Sequence, residues 1–117
     1  ISSLLLILVG LGLIATTATP PPTPTAACPP APASRLILRE RARVSLSDPR
    51  PLNLRSGAGT ANDVLAQIPA GGVFYVLEGP VCSQNYAWYR VDYRGNAGWI
   101  AEGDASAYYV EQYPPGA

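Results

Sequence analysis

From residue 42 onward, hydrophobic and polar positions alternate in short runs, and each run stops at Gly, Pro, Asn or Asp. Alternation with a period of two sends successive side chains to opposite faces, so each run predicts a half-buried β-strand. The runs are ARVSLS (42–47), LNLRS (52–56), VLAQI (64–68), VFYVLEG (73–79), YAWYRVDY (86–93), AGWIAE (97–102) and YYVEQ (108–112). Between them, Asp48-Pro49-Arg50-Pro51 predicts a rigid corner, SGAGT a second turn and PAGG a hairpin connection. PVCSQN reads as a loop, Arg94-Gly95-Asn96 as a tight turn with glycine at its first central position, and Glu102-Gly103-Asp104 as a turn. No stretch keeps a helical period over ten residues. Six or seven strands of about five residues cannot make a sizeable sandwich, so the pattern predicts an all-β domain that closes as a small barrel and removes its edges.

The N-terminal pattern is different. ISSLLLILVGLGLIA (1–15) carries no charge and gives way to TTATPPPTPTAACPPAPAS, whose prolines cannot continue a helix. About fifteen apolar residues is the length of a signal-peptide core and short of the roughly twenty that span a bilayer, so residues 1–18 read as a signal peptide, with cleavage before Thr19, or as a retained anchor. Without an initiator Met, the opening reads as a truncated frame or a processed product. Residues 19–35 read as a Pro/Thr/Ala-rich linker favouring polyproline II, residues 36–113 as the β domain and 114–117 as a tail. Either N-terminal reading places the domain outside the cytoplasm, secreted or tethered to the envelope.

Composition then narrows the chemistry. Of the 117 residues, eight are Arg or Lys and eight Asp or Glu, so nothing in the net charge points to nucleic acid. Histidine is absent, which removes imidazole bases, His-based triads and His metal sites. The acidic residues are dispersed among turns and strand ends, in no calcium-loop or glycosidase spacing; no metal and no cofactor is expected. Export makes the two cysteines meaningful, because an oxidising compartment lets Cys28 and Cys82 pair. The rival reading is a lipidated Cys28, although the Pro-rich run separates it from the apolar core. SGAGT lacks the Lys and the following helix of a phosphate loop, so Gly57 and Gly59 read as turn or close-approach positions, as do Gly71 and Gly95.

Parity picks out the candidate site. In YAWYRVDY, Tyr89, Val91 and Tyr93 share the core face while Trp88, Arg90 and Asp92 share the other, which sets a tryptophan on a surface beside charges. With Tyr86, these three form the candidate ligand-binding set, a groove of flat aromatics gripping a peptide or glycan-peptide. The competing reading packs Trp88, Tyr86 and Trp99 into a thin core. Arg39, Arg41 and Arg43 fall two apart and read as a solvated edge that discourages strand pairing.

LNLRSGAGTANDVLAQIPAGGVFYVL followed by AWYRVDYRGNAGWIAE resembles the bacterial SH3-like (SH3b, SH3_3-type) domain. The matching positions are Asn53, Leu54, Arg55, Gly57, Gly59, Thr60, Gly71, Trp88, Arg90, Val91, Gly95, Gly98, Trp99 and Ile100, spread over roughly residues 42 to 112. Ala58 replaces the family's usual Pro, and the loop around Cys82 is longer than in minimal members. The resemblance implies a barrel of five or six strands, a paired cysteine as in some exported members, and non-catalytic binding of cell-wall peptidoglycan or a surface protein. The alternative is a structural or assembly subunit, its apolar N-terminus held in a membrane or homo-oligomer while the barrel packs against neighbours.

Overall fold

A computed structural model of the chain describes residues 28–113. The expected signal or anchor (1–18), the linker as far as residue 27, and the tail (114–117) lie outside the described residues. Within them there is no helix, and so none long and apolar enough to cross a membrane. Nine strands form: β1 Arg41–Val44, β2 Leu52–Arg55, β3 Val64–Ile68, β4 Val73–Ser83, β5 Tyr86–Tyr93, β6 Asn96–Ala101, β7 Gly103–Asp104, β8 Ala107–Tyr108 and β9 Val110–Gln112. Seven of them make one antiparallel sheet in the order β3-β2-β6-β5-β4-β1-β9, and β7 pairs with β8 as a separate ribbon.

The sheet curls into a half-barrel of the SH3-like kind. It does not close. β3 and β9 end the strand order and do not pair with each other, so two edges stay where the sequence pattern predicted none. The concave face holds the core, with Leu54, Ile68, Phe74, Val76, Val91 and Ile100 almost wholly buried. Tyr89, Val91 and Tyr93 all point into it, as the alternation in β5 requires.

Four local features depart from the sequence pattern. β4 runs on through Pro80, Val81 and Cys82, where a loop was expected. Its register shifts twice between Val76 and Val81, and such bulges accommodate a proline that a regular ladder would reject. Gly79 makes the bend possible: its φ is +132°, and a Cβ there would sit 2.8 Å from the Trp88 carbonyl oxygen. The β5–β6 turn places Arg94 and Gly95 at its centre, both at positive φ, so glycine takes the second central position of a type I′ geometry. Gly103–Asp104 is a short strand, not a turn. Finally, β1 is paired on both sides, by β4 and β9, so the arginines do not guard an edge. Arg43 instead bonds Glu111 at 2.6 Å, and the Arg41 and Arg43 guanidiniums lie over the Tyr113 ring at 5.3 and 5.7 Å.

Residues 28–40 form a strap on the sheet. Cys28 is bridged to Cys82 and is buried with Ala31 against Ala87; Leu36 joins the main core. The Arg35 amide donates to Glu102 Oε2 at 2.7 Å, and the Tyr108 hydroxyl to the Ala33 carbonyl at 2.6 Å. The Arg35 guanidinium lies 3.4 Å from the centre of the Tyr108 ring. Glu102 is only 1% exposed, and the strap amide is the donor that meets its carboxylate.

Candidate functional site

A groove of about 460 Å3 opens between three pieces of chain that are distant in sequence: the corner at 45–51, the tip of the β4–β5 hairpin, and the β7–β8 ribbon with Tyr109. The floor is aromatic. Tyr86 and Trp88 meet edge to face, with ring centroids 5.8 Å apart and planes at 78°. They share a face because they stand two apart on β5, and the short Gln84-Asn85 turn, both residues at positive φ, brings that end of the strand to the hairpin tip. Tyr108 and Tyr109 line the groove from the ribbon side, and Leu52 and Pro51 from the corner.

The rim carries charges that are already matched. Arg50 Nε and Nη2 grip the Asp48 carboxylate at 2.6 to 3.1 Å, and these charge-assisted bonds hold Asp48 down at about 2. Asp104 Oδ1 accepts from the Ser106 hydroxyl and from the Ser106 and Ala107 amides, and Oδ2 accepts from the Tyr109 hydroxyl at 2.8 Å. Those donors, the Ser106 hydroxyl first, lower Asp104 to about 2. Burial, and then the bond to Asp104, push the Tyr109 phenol well above its ordinary range, so it remains a donor at every physiological pH.

A clasp spans one end. Thr60 donates from its amide and its hydroxyl to Gln84 Oε1, tying the SGAGT corner to the hairpin tip. The corner is braced by Arg55, whose Nη1 donates to the Thr60 and Asn62 carbonyls at 3.1 and 3.0 Å. Gly59 has φ +144°, and a Cβ on Gly57 would meet the Asn62 side chain at 3.0 Å, so the glycines serve a folded-back corner.

Of the residues singled out from sequence, Tyr86 and Trp88 come together in the groove, and Arg90 and Asp92 do not line it. Arg90 faces Glu78 at 3.9 Å, and Asp92 Oδ1 accepts the Gly95 amide at 2.9 Å, inside the β5–β6 turn. The expectation of an exposed Trp88 is corrected: the residue is 2% exposed. Its indole N–H donates to the Ser83 carbonyl at 2.9 Å, Val81 and Ala101 stand opposite it on the neighbouring strands, and Tyr86 closes over its edge. Trp88 is thus a buried floor residue against which Tyr86 packs, with Tyr109 lining the same groove. Asp48, Arg50, Asp104 and Tyr109 were missed because their meeting depends on the curl of the sheet; the nearest local signal was the Asp-x-Arg spacing of 48–50. Among the described residues no three His, Cys, Asp or Glu side chains gather as a metal site would require.

A curled antiparallel sheet with an aromatic groove across its open end defines a small SH3-like barrel with a ligand-sized cleft. A family model for the bacterial SH3 domain matches residues 50–109, and the chain belongs to that family, one of binding modules that are generally non-catalytic. No curated protein and no solved structure matches the chain. The matched segment takes in most of the groove but leaves out the strap and β1.

Proposed function

We propose that the chain is an extracytoplasmic recognition module whose groove takes a peptide, either the peptide of the cell-wall glycan or a segment of a surface protein. The carrying observation is that Tyr86, stacked edge to face on Trp88, lines one groove with Tyr108 and Tyr109, beside charged residues that are already paired. Such a surface offers stacking area at low ordering cost, with a few polar groups to fix orientation. Export is supported by the Cys28–Cys82 bridge and by the apolar run at 1–15.

The test is co-sedimentation of the full oxidised chain with purified peptidoglycan. Tyr86→Ala is expected to weaken retention about tenfold, in line with loss of one stacking contact. Arg90→Ala, remote from the groove, is expected to leave it unchanged. Equal retention of parent and Tyr86→Ala chains would remove the groove from wall binding. A second reading, an assembly subunit, is favoured by one observation: edge strand β3 exposes Val64 and Leu65 at 47% and 54%. Sedimentation equilibrium showing a dimer that Leu65→Lys dissociates would support that reading.

A further inference from the structure

Arg55 stands in the LNLRSGAGT corner, and its side chain lines the groove together with Asn53 and Thr60. Asn53 and Arg55 are two apart on β2 and half-buried, so they share one face while Leu54 between them points into the core. We propose that Arg55 and Asn53 form the subsite that seats a carboxylate of the bound peptide, whether its C-terminus or an acidic side chain. This rests on the reading of the groove as the ligand site.

Three observations carry it. The first is charge. The ion pairs among the described residues are Arg43 with Glu111, Arg50 with Asp48 and Arg90 with Glu78, and none of them reaches Arg55. The two acids of the groove are supplied elsewhere: Asp48 by Arg50, and both oxygens of Asp104 by Ser106, Ala107 and Tyr109. Arg55 therefore brings to the groove wall a positive charge that no carboxylate of the described residues meets. The second is the shape of the donor. Arg55 Nη1 donates to the Thr60 and Asn62 carbonyls, and these two bonds fix the guanidinium plane. The opposite edge, made by Nε and Nη2, takes no part in them. Its two parallel N–H groups match the two oxygens of a carboxylate, the fork geometry in which arginine binds that group best. The third is Asn53. Its Oδ1 accepts from Gln67 Nε2 at 2.9 Å across the β2–β3 pair, which leaves the Nδ2 hydrogens as further donors on the same wall.

The wall is also braced before any ligand arrives. Thr60, which accepts from Arg55, is clasped in turn to Gln84 at the hairpin tip. Little ordering is left for a ligand to impose, so a small electrostatic gain shows as selectivity. A forked pair at a half-buried site is expected to favour a carboxylate over its neutral amide about fivefold. The tyrosines then supply contact area, and Arg55 supplies direction: the peptide lies with its acidic group toward the clasp.

The test titrates the full oxidised chain, held in mild detergent, with N-acetyl-Ala-Ala-Ala as the free acid and as the C-terminal amide. Nuclear magnetic resonance reads the amides of Thr60, Tyr86 and Tyr109, with Arg94 and Gly95 as remote controls of the fold. The free acid is expected to bind about fivefold more tightly than the amide, and the advantage to shrink as salt rises from about 50 to about 500 mM. Arg55→Lys, which removes the fork, and Asn53→Asp, which keeps the acceptor for Gln67 but adds a like charge, are each expected to bring the acid-to-amide ratio near one. Arg90→Gln, away from the groove, is expected to keep it. N-acetyl-Ala-Glu-Ala amide separates the sources: an advantage over the all-alanine amide assigns the subsite to side-chain carboxylates as well, and its absence restricts the subsite to a C-terminus. Equal binding of acid and amide by the parent would overturn the proposal and leave the groove as the ligand site. An advantage that survives in both Asn53→Asp and a folded Arg55→Lys would overturn the assignment to these residues. Peptides that move none of the groove signals would sink the groove reading itself, and the proposal with it.

Discussion

Asp104 accepts hydrogen bonds from three groups within three residues of itself and from Tyr109 across the ribbon, and this fixes how the groove responds to pH. Its folded value of about 2 lies below an ordinary carboxylate, so its contribution is complete above about pH 4 and is lost as pH falls through 2. Asp104→Asn is expected to flatten the fall in melting temperature between pH 5 and 2; an unchanged acid limb would show that the carboxylate is not the sensor. Tyr109 behaves in the opposite sense. Its phenol is raised, so the folded state loses stability only as pH climbs beyond the ordinary phenol range. The identities at these positions were readable in the sequence, but their partnership was not, because Ser106 and Tyr109 reach Asp104 only once the ribbon has folded.

At the scale of elements, strand β5 was legible almost to the residue: the parity of YAWYRVDY placed Tyr89, Val91 and Tyr93 in the core. Strand β4 was not, since a Gly-Pro pair at 79–80 reads locally as a break. The strand survives because the bulge around Gly79 lets it bend and still pair with β5 as far as Ser83. Gly79→Ala is expected to cost about 2 kcal/mol, through the positive φ and the contact with the Trp88 carbonyl, measured by urea denaturation. A cost near zero would mean the bulge can re-form without glycine. Trp88 was misread for a related reason. Alternation assigned its face correctly, but not what surrounds it there: Val81 and Ala101 on the neighbouring strands, the Ser83 carbonyl and the Tyr86 ring.

For the molecule as a whole, the Cys28–Cys82 bridge closes a loop with a sequence separation of 54 and pins the strap to the hairpin tip. On the chain-entropy model, the double variant Cys28→Ser with Cys82→Ser is expected to lose about 4 kcal/mol of stability, a large share of what so small a domain has. Equilibrium denaturation in urea checks it, and equal midpoints for the two chains would contradict it. The bridge also determines how a pull is transmitted. Tension applied through residue 27 crosses the covalent link straight into Cys82 and leaves toward residue 113 by way of β5 to β9, so strands β1 to β3 and most of β4 lie off the covalent line of force. In the oxidised chain those elements add nothing to the length that stretching can draw out, and reduction would add them to it.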